Sequence, residues 1–438
     1  MISTDIIITN ATILTMNDDD TILNNGFLCI KDDTIFSLGV GEDVNLYEAP
    51  KTIDARGGLV LPGLINGHTH AAMSLFRGIA DDLPLMEWLN NYIFPVEKRL
   101  YPDLVHAGSL LACSEMIMSG ITTFCDMYIF EDETAKAAKK ACMRCLVGEV
   151  LYDFPSPNYG KIEKGFEYTK YLIEKWKDDP LVSIALEPHS LYTCSPDLLV
   201  KAGEMARKYN IPLITHVAET ENEIVEVKKN RGMKPFEYLN FLGLLENHLI
   251  ADHCVHIDED ELELMTLHEV KAIFNPQSNM KLASGIAPVP DMISSGVTVG
   301  LGTDGCASNN KLDLFSEMNM AAKLLKAHTL DPTVMDALTV LKMATIKGAE
   351  ALGLDDKIGS LEKGKKADII IMDMSKPHLT PMYNPYSHIV YAALASDVSH
   401  SIINGQLVME QGKILTLDIE EVMDRVIDLS KDIQNWIA

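Results

Sequence analysis

The stretch Leu61-Pro-Gly-Leu-Ile-Asn-Gly-His-Thr-His70 decides how this chain is read. It closes an apolar run, Gly58 to Ile65, that reads as a buried strand. Residues two apart on a strand face the same side, so His68 and His70 aim at one point at the strand's end. Two neutral imidazoles that converge supply half of a metal site. A His-x-His is weak evidence alone, because two histidines often share a solvated face by chance. Three other segments strengthen it: Thr215-His216-Val-Ala-Glu219, Asp252-His253-Cys-Val-His256 and Gly302-Thr-Asp304-Gly. Each also ends an apolar run.

Working outward, eight apolar segments read as strands: Leu59–Ile65, Ile121–Met127, Cys145–Leu151, Val182–Leu186, Pro212–Thr215, Leu249–Ala251, Val270–Phe274 and Val297–Leu301. Helical periods follow most of them, as in Pro196–Tyr209, Asp258–Leu267 and Asp313–Ala327. Such alternation predicts an α/β fold, a (β/α)8 barrel with a parallel sheet. A doubly wound open sheet is the rival, and the chain has no glycine-rich phosphate loop to support it. His68, His70, His216, His253 and Asp304 follow strands one, five, six and eight. Only a closed barrel brings those ends to one mouth. Short strands also open the chain (Ile6–Thr9, Ala11–Met16, Gly26–Ile30, Thr34–Val40) and return near its end (Asp368–Asp373, His400–Ile403, Gln406–Glu410). Neither set makes a sheet alone. The expected layout is a small β-sandwich domain from residues 1–58 and 360–415, a barrel over 59–359, and a C-terminal helix over 416–438.

The chain has 438 residues, 47% hydrophobic and 23% charged, enough for a large barrel and a smaller domain. Its 37 basic and 63 acidic residues give a net charge of −26, which repels phosphate backbones and argues against nucleic-acid binding. Met1 to Asn10 lacks the basic region and apolar core of a signal peptide, and no apolar stretch approaches membrane-spanning length. Cys142-x-x-Cys145 has no second pair to complete a structural zinc site, so the eight cysteines read as free thiols of a reducing cytoplasm. The expected partner is a small molecule, and a homo-oligomer is the expected assembly.

These motifs resemble the amidohydrolase superfamily, and within it the deaminases of methylthioadenosine and S-adenosylhomocysteine. The resemblance covers essentially the whole chain, from "ITNATILTM" and "VLPGLINGHTHAAMSLFRGIADDLPLMEWL" through "EPHSLYTCS", "HVAET", "ADHCVH", "NPQSNMKLASGIAPV" and "GTDGCASNN" to "GSLEKGKKADIIIMD". It implies that His68, His70, His216 and Asp304 bind one divalent metal, usually zinc, with iron or manganese as alternatives. Three histidines and a carboxylate leave a position for water, the mark of a catalytic site. Strand four ends Ala185-Leu-Glu-Pro-His189 without the lysine that bridges two metals in binuclear members, so one metal is expected.

By the same resemblance Glu219 shuttles protons, His253 orients and polarises the nucleophile, and Asp304 doubles as ligand and proton acceptor. Trp88 packs near an adenine ring, Glu97 binds ribose hydroxyls, and His189 contacts the nucleoside. His256 and the remaining histidines read as structural or surface groups. One departure stands out. Where carboxylate-binding relatives place arginine after strand three, this chain has Val147-Gly-Glu149. A glutamate in that pocket repels a carboxylate tail, unless Lys161 or Lys164 compensates. The expected reaction is therefore hydrolytic deamination of 5′-methylthioadenosine, 5′-deoxyadenosine or adenosine, ahead of S-adenosylhomocysteine. A guanine- or s-triazine-type ring, or a scaffold without catalysis, are the alternatives.

Overall fold

The chain switches from one sheet to another at Pro62-Gly63. The structure, a computed structural model, describes residues 1–83 and 85–437. The single strand expected over Leu59–Ile65 is two strands there. Leu59–Pro62 pairs antiparallel with Ile369–Met372, whereas Leu64–Thr69 pairs parallel with Ile121–Tyr128. Gly63 permits the crossing, since a Cβ there would lie 2.1 Å from the Thr122 hydroxyl. Two consequences follow. Leu59–Pro62 belongs to the β-domain, on the far side of the boundary expected at residue 59, and His68 lies inside its strand rather than after it.

The barrel strands are β1 (Leu64–Thr69), β2 (Ile121–Tyr128), β3 (Arg144–Leu151), β4 (Val182–Ile184), β5 (Leu213–Val217), β6 (Leu249–His253), β7 (Lys271–Phe274) and β8 (Val299–Leu301). All neighbouring pairs are parallel. A Leu186–Leu213 bridge joins β4 to β5, and the amides of Thr303 and Asp304 donate to the His68 carbonyl, carrying the chain past β8 back to β1. Alternation along β3 sorts its residues into two layers. Leu146 and Val150 join the barrel interior with Ile65, Ile214, Ile250 and Ile273, while Cys145, Val147 and Leu151 pack outward against the helices.

Strands from both ends of the chain form one nine-strand sheet, joined where Leu59–Pro62 sits between Ile369–Met372 and Ile6–Leu14. The two strands expected over residues 6–16 are one, Ile6–Leu14, with a register shift around Asn10, whose φ is 53°. Ile8, Ile13, Leu28, Val60, Ile369 and Ile402 form its core. The C-terminal helix Ile419–Ile437 buries Leu429 and Ile433 in the cluster that holds Val96, Leu100 and Val105. It thereby braces the segment after β1, which is three short helical turns, Leu85–Trp88, Leu89–Ile93 and Phe94–Glu97; Pro84 lies outside the described residues. All eight cysteines are free, seven of them buried. No helix among the described residues is long and apolar enough to cross a membrane.

Candidate active site

At the C-terminal end of the barrel four imidazoles crowd one point. The His68 ring centroid lies 4.9 Å from that of His70, 5.0 Å from that of His216 and 5.4 Å from that of His253. Asp304 joins them, with Oδ1 3.2 Å from His70 Nε2 and 3.7 Å from His68 Nε2. Donor atoms of His68, His70 and His216 lie within 4.8 Å of one another, as do those of His68, His253 and Asp304.

The far nitrogens show how the rings are aimed. His68 Nδ1 faces Asp252 Oδ2 at 3.0 Å, His70 Nδ1 meets the Met127 carbonyl, and His216 Nδ1 lies 2.7 Å from the His189 carbonyl. Holding Nδ1 in this way leaves each Nε2 pointing inward, the arrangement that metal-binding histidines use. His68 Nε2 is buried without a hydrogen-bond partner. Asp304 Oδ2 accepts from the Ser278 hydroxyl at 2.6 Å, and its Oδ1 accepts from the Gly305 amide at 2.7 Å. Four imidazoles and one carboxylate thus converge here, a donor set that fits a divalent cation.

Electrostatics agree with that fit. Burial, then the neighbouring histidines, holds His216 well below the ordinary histidine range, in the neutral form a ligand needs. Burial also disfavours charge on His70, but the Asp304 carboxylate outweighs it and lifts His70 to about 9. Asp304 is held well below the carboxylate range despite burial, mainly by its hydrogen bond with His70. A cation at this centre meets the same demand for positive charge.

Backbone strain marks the same rim. Ala218, His253, Cys254 and Asp304 have φ of 54°, 73°, 49° and 62°, a region costly for residues with a side chain. Each costs about 1–3 kcal/mol, and such strain concentrates at functional sites. It separates the two histidines of the β6 segment. His253 lines the cavity, with Asn279 Nδ2 donating to its Nδ1 at 2.9 Å, so its Nε2–H faces the centre. His256 turns away, Nε2 against the Ser284 carbonyl.

Glu219 lines the same cavity. Burial, then the Asp304 charge, raises its carboxyl to about 8. Glu223 holds it in place: its two carboxylate oxygens accept from the Ala218 and Glu219 amides at 2.9 and 2.8 Å, while Thr220 caps the helix Glu221–Arg231. Trp88, Glu97 and His189 also line the cavity. Glu97 accepts from the Tyr128 hydroxyl at 2.8 Å, and burial lifts it to about 7. Burial, then the charges of His70 and His68, lowers His189 to about 3.

Glu149 is elsewhere. It sits on β3 between Gly148 and Val150, on the outward face, fully buried, accepting from the Glu131 amide at 3.0 Å and from Asn158 Nδ2 at 2.9 Å. The alternation that turns Val150 into the cavity turns Glu149 toward the helix Glu131–Ala141. The expectation that Glu149 faces a substrate tail is therefore corrected.

Sequence reading assigned no role to Asp252, Ser278, Asn279, Glu223 or Tyr128. Signals existed for two of them: Asp252 interrupts an apolar strand, and Thr220-x-x-Glu223 has the pattern of a capping box.

Comparison with known proteins places this geometry. The amidohydrolase family model matches residues 59–408. A protein of Syntrophobacter fumaroxidans named 5-methylthioadenosine/S-adenosylhomocysteine deaminase is 54% identical over 431 residues, 98% of each chain. One of Syntrophus aciditrophicus named 5-methylthioadenosine/S-adenosylhomocysteine deaminase 1 is 52% identical over 97% of each. The crystal structure of an adenosine deaminase from Xanthomonas campestris with bound zinc superposes with a TM-score of 0.97 at 34% identity, covering 99% of both chains. This chain belongs to the amidohydrolase family and, within it, stands with the 5-methylthioadenosine/S-adenosylhomocysteine deaminases.

Proposed function

We propose that the protein is a metal-dependent hydrolytic deaminase that converts a 5′-substituted adenosine and water to the inosine analogue and ammonia. The observation that carries this reading is the convergence, on one cavity, of a cluster of imidazoles and the Asp304 carboxylate with the buried carboxyl of Glu219. His68, His70, His216 and Asp304 would hold one divalent cation, zinc by preference. A cation there would supply Lewis acidity, which makes water a nucleophile near neutral pH.

The chain's own groups do the rest. His253 Nε2–H orients the water oxygen toward the amino-bearing carbon, with its ring fixed by Asn279. Asp304 accepts the proton that water gives up, and the Ser278 hydroxyl keeps its Oδ2 in place. Glu219 donates to the ring nitrogen beside the attacked carbon, then helps deliver a proton to the departing amine. Addition of water and loss of ammonia leave a carbonyl where the amine stood. Away from the centre, Glu97 accepts from the ribose hydroxyls and Trp88 packs on the base. His189, kept neutral by burial, hydrogen-bonds the nucleoside with Nε2, while its Nδ1 lies 2.9 Å from Thr193 Oγ1.

An ammonia-release screen over adenosine, its 5′-substituted analogues, guanine, cytosine and s-triazines tests the proposal. Release from adenosine-type substrates at rates above the other rings is the expected result. Turnover of a free base or triazine alone overturns it.

A further inference from the structure

The cavity changes character with distance from the metal-binding end. From the His216 ring a file of rings leads outward: His189 at 5.0 Å, Tyr152 6.5 Å beyond it, Phe154 stacked 3.8 Å on Tyr152, and Phe94 6.0 Å from Phe154. Tyr152, Phe154 and Phe94 all line the cavity. Among the described residues no lysine or arginine lines it. Lys161 and Lys164 are exposed at the start of the helix Ile162–Trp176, outside the cavity. Lys281 follows the same rim, but its ammonium is bound by Asp81, Asn310 and the Ala307 carbonyl.

We infer that Tyr152, Phe154 and Phe94 form the site of the 5′ substituent and select an uncharged, apolar group there, such as methylthio, against a zwitterionic amino-acid tail. The inference rests on the deaminase reading, which fixes the orientation. Deamination places the amino-bearing edge of the purine at the metal-binding end. Glu97, which accepts from the β2 residue Tyr128, receives the ribose, and the 5′ carbon then points to the outer rings. A methylthio group there exchanges water for aromatic carbon, which is favourable. An amino-acid tail entering the same space loses hydration, and its carboxylate meets no cation, which is costly. Glu149 takes no part, because it faces the helices.

The test compares kcat/KM for 5′-methylthioadenosine, adenosine and S-adenosylhomocysteine on the metal-loaded enzyme, then on Phe154→Ala and Phe154→Arg. Wild-type enzyme should favour 5′-methylthioadenosine over both others by about tenfold or more. Phe154→Ala should lower that preference over adenosine, chiefly by raising KM for 5′-methylthioadenosine. Phe154→Arg should move the ratio of S-adenosylhomocysteine to 5′-methylthioadenosine by about tenfold toward the former, since a guanidinium pairs with the tail carboxylate. Wild-type enzyme that handles S-adenosylhomocysteine as well as 5′-methylthioadenosine overturns the inference whatever the variants do. So does a ratio that stays flat in both variants. Ammonia from adenosine in the same assay reports on the deaminase reading by itself: with none from any of the three, both readings fall together.

Discussion

The two ends of this cavity are built in opposite ways. At the inner end almost every polar atom is aimed by another: Asp252 and two carbonyls face the Nδ1 atoms of His68, His70 and His216, Ser278 holds Asp304, Asn279 holds His253, and Glu223 holds the Glu219 backbone. At the outer end Tyr152, Phe154 and Phe94 meet through stacked and tilted rings with no charge among them. The inner groups sit on or just after barrel strands, the outer ones on the segments that follow β1 and β3. Chemistry is thereby assigned to a rigid rim and selection to loops, which change without disturbing the rim.

The comparison breaks first if the inner end is not a metal centre. His216→Ala removes one ligand at the barrel mouth and none of the core. The variant should lose bound metal and activity by more than about a thousandfold while unfolding at nearly the wild-type temperature. Full metal occupancy by elemental analysis would refute the ligand assignment. Next in size is Glu219→Gln, which keeps shape and cannot shuttle a proton. Turnover should fall by about 10²- to 10⁴-fold with metal content unchanged. A variant with near-normal kcat shows that another group moves the proton.

The inner end was also the legible one. His68, His70, His216, His253 and Asp304 could be read because each follows an apolar run, and period-two alternation says which side they face. The same alternation should have removed Glu149 from the pocket, since Val150 and Glu149 are neighbours on one strand. The position that carboxylate-binding relatives fill with arginine carries no information on the side Glu149 faces. The break of the first strand at Gly63 was hidden because Gly58 to Ile65 is apolar throughout: both sheets bury both faces of that segment. What no periodicity carries is contact between loops. Phe154 stacks on Tyr152, and Phe94 reaches it from a segment far away in sequence, so the outer wall exists only in three dimensions.

A gentler probe of the inner end is Asp252→Asn. Asparagine keeps an oxygen facing His68 Nδ1 but no longer carries charge behind it. Metal affinity should weaken by about 10- to 100-fold, and added metal should restore much of the activity. Chelator competition measures it, and an unchanged dissociation constant would mean that Asp252 does not tune the ligand.

The smallest effect belongs to Glu149→Gln, which asks whether the outward face of β3 is separate from the cavity behind it. Burial lifts Glu149 from an ordinary 4.5 to about 7. The folded chain therefore keeps a proton that the unfolded chain releases. The stabilisation from that proton is complete below about pH 4.5 and disappears as pH rises through about 7. Glutamine is neutral at every pH, so the fall in Tm between pH 5 and 8.5 should be shallower in the variant. The difference corresponds to on the order of 2–3 kcal/mol of pH-dependent stability. Selectivity between 5′-methylthioadenosine and S-adenosylhomocysteine should stay within about twofold of wild type, because Glu149 hydrogen-bonds the Glu131 amide and Asn158 and touches no ring of the outer wall. Calorimetry across pH and the ratio of kcat/KM values measure the two halves independently. A changed selectivity with unchanged pH dependence would put Glu149 back in the pocket and join the two faces of β3 into one site.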